Sequence, residues 1–137
     1  GAREIRRRVT RVLGADNAWF CTPDDATLAD LYRSAAAVGV VSVYEGFGLP
    51  VIEALACGAP TLVVDGGALP ETAGGAARVV PAPDAESIAR GLLALLREPA
   101  AERARRRGLG LARAAALDWR SVARAMLGVY AEAMRGD

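Results

Sequence analysis

A chain of 137 residues is long enough for one domain with a core of its own and too short for two. Apolar residues make up 53% and aromatics only 5%, so alanine, valine and leucine must supply the packing, and the polar bias of disorder is absent. A net charge of +1 argues against nucleic acid or an acidic membrane as the main partner, and all 17 basic residues are arginine. Cys21 and Cys57 carry neither disulfide-framework nor metal-ligand spacing and read as thiols in a reducing compartment. Histidine is absent, which removes the commonest metal ligand and the commonest general base, and no metal site is expected. No apolar run reaches the roughly 18–20 residues of a membrane span, and no signal-peptide pattern opens the chain. A cytoplasmic protein is expected, with membrane association left to a partner domain.

In chain order, Ile5, Val9, Val12 and Leu13 form one apolar helical stripe over residues 3–14, and Gly14 is a stop. Residues 18–20 (AWF) make a short strand candidate, closed by the turn CTPDD. A second helix from Asp25 places Leu28, Leu31, Tyr32 and Ala35 on one face. Residues 37–43 (AVGVVSV) are a continuous apolar run, suited to a strand buried on both faces of a parallel sheet. Pro50 fits the first turn of a third helix, which ends near Cys57 and Gly58. TLVV (61–64) and ARVV (77–80) are further strands, separated by the turn DGGALPE. Asp84 is placed to cap a helix over 85–97, and a basic, alanine-rich helix follows over 101–116. A last helix opens at Trp119, with Val122, Ala125, Met126, Val129 and Tyr130 on its apolar face.

This alternation predicts an α/β fold, a Rossmann-like parallel sheet with flanking helices. Right-handed crossovers put the loops after the strands along one edge, so those at 21–25, 44–49 and 65–70 should converge. At that edge the helix starting near Pro50 presents unpaired N–H groups and the positive end of its dipole. Gly46 and Gly48 allow close approach of a ligand to the backbone. Glu45 and Glu53 flank the turn, and carboxylates beside a phosphate suit sugar hydroxyls. A ligand with phosphates and vicinal hydroxyls is a nucleotide sugar. A tight turn before a capped helix, with Glu53 merely favourable near the dipole, is the plainer alternative.

The run Glu45-Gly-Phe-Gly-Leu-Pro-Val-Ile-Glu53, continuing through Ala-Leu-Ala-Cys-Gly-Ala-Pro60, resembles the Glu-x7-Glu signature of retaining GT-B glycosyltransferases, the glycosyl transferases group 1 family. Asp25 to Tyr32, the loop Val64 to Glu71, Pro81 to Asp84 and the closing Trp119…Tyr130 helix fall where that family has similar segments. The resemblance implies a donor-binding domain, with residues 1–137 forming a single partial nucleotide-sugar-binding domain that ends in helices 101–135. It implies that Glu45 meets the donor sugar hydroxyls nearest the chemistry, as the catalytic position. The amides of Gly46, Phe47, Gly48 and Leu49 would face the sugar and distal phosphate. Glu53 would accept from the ribose hydroxyls, and the 21–24 loop would lie against the base. No metal or other cofactor is implied, because the donor is itself the substrate.

The family's usual pattern also has two earlier strand–helix units, which carry a basic pair, and an N-terminal acceptor-binding half. None of these has a counterpart here, so the chain reads as a piece of a larger enzyme that is inactive alone. The edge of the 37–43 strand would then be exposed, and a homodimer through that edge is one expectation. Arg33 and Arg78 are candidates for a substitute phosphate partner. Glu71 is expected to orient a short helix, and Arg103, Arg105, Arg106, Arg107 and Arg113 to form a solvated face. The function expected is hexosyl transfer with retention from a nucleotide diphosphate sugar to an unknown acceptor. A nucleotide- or sugar-binding module without transfer, or another sugar enzyme on the same fold such as an epimerase or phosphorylase, stands as the alternative.

Overall fold

The computed structural model describes residues 1–136. Helix α1 (Ala2–Leu13) and a 3-10 turn (Ala15–Asn17) lead to α2 (Asp25–Ser34) and strand β1 (Val38–Val40). Then follow α3 (Leu49–Ala56), β2 (Thr61–Val64), α4 (Leu69–Ala73), β3 (Arg78–Val80), α5 (Ala85–Leu96), α6 (Ala100–Ala116) and α7 (Trp119–Arg135). Three of these helices start on an aspartate whose carboxylate accepts from an amide in the first turn. Asp24 takes the Thr27 N–H, Asp84 that of Ser87, and Asp118 those of Arg120 and Ser121. Those backbone hydrogen bonds, foremost the ones from Thr27, Ser87 and Ser121, hold all three carboxyls below the ordinary aspartate range.

The strands form one parallel sheet in the order β1-β2-β3, with Val38 opposite Thr61 and Leu62 opposite Arg78. All four residues of the central strand β2 are buried. Leu62 points toward α5, which comes so close that a Cβ on Gly91 would stand 2.6 Å from Val80 Cγ1. Thr61 and Val63 alternate to the opposite face. Val51 and Leu55 of α3, Leu69 and Ala73 of α4 and Leu95 of α5 complete the core. Each fully buried Val or Leu contributes about 2 kcal/mol. Helix α6 lies along α3, where Gly110 admits the Leu55 side chain.

Several expectations are corrected. Residues 18–20 are not a strand: no strand among the described residues lies beside them to supply a ladder. Phe20 instead lies under the Arg6 guanidinium, 4.8 Å from its ring centre. The 37–43 strand is paired only over Val38–Val40 and is not buried on both faces. Val40 is buried, whereas Gly39 within the strand is exposed, as are Val41 and Val43 beyond its paired residues. The DGGALPE segment is not all turn, since Pro70 sits in the first turn of α4. The apolar stripes of α1 and α7 are found as helices, but neither helix contributes a buried residue.

The basic α6 is more than a solvated face. Arg106 donates to Glu98 at 2.8 Å and 3.1 Å, and these side chains are only 13% and 3% exposed. A buried pair is costly to break from one side, because the surviving Arg106 charge keeps only its weaker contact with Glu102 at 3.5 Å. Glu98→Gln is therefore expected to lower stability by about 1–3 kcal/mol in urea unfolding, the worth of charged hydrogen bonds. The double variant Glu98→Leu/Arg106→Met should recover most of that loss, and an unchanged midpoint for the single variant would show that the pair does not hold α6.

Candidate functional site

The loop from Val41 to Gly48 leaves the C-terminal end of β1 and enters α3. Gly48 takes φ 88° and ψ 54°, the left-handed region, and caps the helix. The Val51 amide closes the first turn on the Gly48 carbonyl at 2.9 Å. Among the described residues the amides of Gly46, Phe47, Gly48 and Leu49 donate to no backbone carbonyl. They stand at the amino end of α3, where the helix dipole is positive. Gly46 has open space around it, whereas Gly48 is buried and a Cβ there would meet Leu69 Cδ2 at 2.8 Å. Room for a ligand therefore exists at Gly46, and Gly48 has a conformational and packing reason of its own.

The loop after β2 is pressed onto this turn, as expected for strand ends along one sheet edge. The Ala68 amide donates to the Glu45 carbonyl at 3.1 Å, which fixes the backbone of the half-buried Glu45. A Cβ on Gly66 would stand 2.9 Å from the Val43 carbonyl oxygen, and one on Gly67 would stand 2.8 Å from that of Glu45. Two adjacent glycines are needed for the two backbones to touch. The Thr72 hydroxyl adds a hydrogen bond to the Phe47 carbonyl. The Phe47 and Leu49 side chains stay largely exposed beside the turn.

Glu53 follows one turn into α3 and faces α2. Its carboxylate accepts from the Tyr32 hydroxyl at 3.2 Å. Both residues line a cleft of about 320 Å³ with Asp25, Leu28, Ala29, Ala56 and Cys57. Asp25 brings the end of the 21–25 loop to that cleft, while residues 46–49 are not among its lining. The Tyr32 phenol is pushed above its ordinary range, first by desolvation and then by the charge and hydrogen bond of Glu53. In the sequence Tyr32 reads only as one member of an apolar helix stripe. Its hydroxyl at the edge of that stripe is the single signal that it reaches a polar neighbour.

Other candidates lie elsewhere. Arg33 is paired with Asp30 at 2.6 Å in the last turn of α2, and Arg78 opens β3 at the opposite end of the strand from these loops. Neither is at the edge where the turn lies, because both precede the strands that lead there. Glu71 sits in the first turn of α4, where a carboxylate suits the dipole, and its side chain is exposed.

Two outcomes check this geometry. Gly67→Ala is expected to cost about 2 kcal/mol, from an unfavourable φ of +54° and overlap with Glu45, while Gly46→Ala changes thermal stability little. Equal melting temperatures for the two variants would contradict the backbone contact. In an alkaline titration followed by tyrosine absorbance, the Tyr32 phenol should ionise above its ordinary pH. Glu53→Gln should move that transition part of the way back, leaving the desolvation effect, and no movement would place Glu53 away from the phenol.

Residues 7–109 match the sequence family described as Glycosyl transferases group 1. The chain is 40% identical over 119 residues to a D-inositol 3-phosphate glycosyltransferase of Streptomyces bingchenggensis, an alignment covering 85% of this chain and 25% of that protein. It is 39% identical over 118 residues to an MMP alpha-(1->4)-mannosyltransferase of Mycolicibacterium hassiacum, covering 80% and 28%. The chain thus spans about a quarter of the length of these relatives. Its fold is similar to that of sucrose-phosphate synthase from Thermosynechococcus elongatus, with a TM-score of 0.82 and 31% identity over 98% of this chain and 35% of that one. With most of its length inside the matched region, and with the parallel α/β fold in agreement, this chain belongs to the glycosyl transferases group 1 family.

Proposed function

We propose that this chain is the donor-binding part of a glycosyltransferase that moves a hexose from a nucleotide diphosphate sugar to an acceptor, with retention at the anomeric carbon. The observation that carries the reading is the row of unused amides from Gly46 to Leu49 at the amino end of α3, with a carboxylate on either side. A pyrophosphate is the ligand that such an end attracts, and hydroxyls are what carboxylates bind beside it. In this reading Glu45, with its backbone fixed by Ala68, takes the sugar hydroxyls nearest the bond that breaks. Gly46, Phe47, Gly48 and Leu49 supply amides to the sugar and distal phosphate, and Glu53 accepts from the ribose.

The cleft between α2 and α3 fits the nucleoside end of the donor, with Tyr32 orienting the Glu53 carboxylate. Catalysis by such a site is positioning together with stabilisation of the leaving diphosphate. The reading calls for no metal, since fixed amide dipoles meet the developing charge. The acceptor-binding surface is proposed to come from another part of the enzyme, and the exposed β1 edge is a further surface for pairing with a second copy. No helix among the described residues is long and apolar enough to cross a membrane. A cytoplasmic setting is part of the proposal, and the free state of Cys21 and Cys57 suits it.

Titration calorimetry with UDP, GDP and their sugar conjugates tests this directly. One nucleotide is expected to bind saturably, and Glu53→Ala should weaken it by about 1–3 kcal/mol, the worth of hydrogen bonds to a charged group. Binding of the same strength in that variant would remove Glu53 from the site, and no binding by the folded parent chain would remove the site itself.

A further inference from the structure

The turn Gly46–Leu49 is held from outside by a relay that begins on α6. Arg113 reaches across to the carboxyl end of α4, where its Nη2 donates to the Glu71 carbonyl at 2.8 Å and its Nε to the Thr72 carbonyl at 3.0 Å. A guanidinium is the only side chain whose planar fork supplies two such donors in fixed register, and its charge suits the negative end of a helix. Gly74 makes room for it, since a Cβ there would stand 2.7 Å from Arg113 Nε. Thr72, 3% exposed, is then fixed on both sides: its carbonyl accepts from Arg113, and its hydroxyl donates to the Phe47 carbonyl. The acceptor is the middle of the glycine-rich turn. No other hydrogen bond among the described residues ties Phe47, and its side chain is largely exposed.

We propose that Thr72, anchored by Arg113, is a positioning residue that holds the Gly46–Leu49 amides in the arrangement that receives the donor diphosphate. This deepens the donor-site reading and rests on it. A turn containing two glycines is soft, and a soft turn loses affinity because ordering it must be met at the moment of binding. The Thr72 hydroxyl removes that cost in advance. Neither Thr72 nor Arg113 needs to touch the ligand: the effect passes through the Phe47 carbonyl to the amides that follow it.

The test uses three variants of the protein: Thr72→Val, which keeps shape and loses the hydroxyl, Thr72→Ser, which restores it, and Arg113→Met. Amide ¹⁵N relaxation and titration with UDP and GDP are measured on each, beside thermal unfolding. The order parameters at Phe47 and Gly48 are expected to fall from about 0.85 to below about 0.6 in Thr72→Val and Arg113→Met, and to return in Thr72→Ser. Nucleotide affinity should drop about tenfold in the first two and recover in the serine variant. A purely structural threonine would lower the melting temperature with no change at the turn, and that result overturns the proposal. Unchanged order parameters in both Thr72→Val and Arg113→Met overturn it as well, whatever the affinities. A parent chain that binds neither nucleotide counts against the donor reading alone, because the relaxation data still decide whether Thr72 holds the turn.

Discussion

The site depends on one contact of backbone on backbone, that of Gly66 to Ala68 against Val43 to Glu45. Side chains at Gly66 and Gly67 would hold the two chains apart: the space over the Val43 and Glu45 carbonyls is smaller than a methyl group. With the glycines in place, the Ala68 amide reaches the Glu45 carbonyl and the loops after β1 and β2 become one rigid edge. The amino end of α3 is then presented outward with its amides unspent. The sheet supplies the platform, but this contact gives the platform a fixed rim.

The arginines of α6 show how charge is used away from that rim. Arg106 neutralises the buried Glu98 carboxylate between α5 and α6, while Arg113 closes the carboxyl end of α4. Arg105 joins Glu102 one turn away in an exposed pair, where solvent screening leaves little net stabilisation. One basic helix thus holds three kinds of arginine, and burial of the partner separates them. Stability comes through Arg106 and the shape of the 65–74 segment through Arg113.

The element pattern was legible wherever local chemistry and period agreed. The Asp84 cap, Pro50 in the first turn of α3 and the buried run TLVV appear as expected because each needs only its neighbours in sequence. The AWF strand failed because a strand needs a partner along its length, and apolar residues alone cannot provide one. The 37–43 run pairs over a shorter length than its apolar pattern predicts for a related reason. Val41 and Val43 are as apolar as Val38 and Val40, but they lie past the paired residues and stay exposed. The Glu45 and Glu53 signature was visible as spacing, whereas the Tyr32 hydroxyl on Glu53 was not, since the two are 21 residues apart.

Residue type and spacing alone established a parallel α/β chain with a glycine-rich strand-to-helix turn and a carboxylate on each side of it. Those features follow from backbone propensity, helix period and the chirality of crossovers, which act over a few residues at a time. Which glycine has open space beside it, and which is filled by Leu69, was settled only when α4 packed against the turn. Packing likewise assigned Arg106 its carboxylate partner and Arg113 its carbonyl partners, and left Arg78 and Arg33 away from the site. Such assignments depend on distances between segments far apart in the chain, and long side chains such as arginine carry no local mark of where they end.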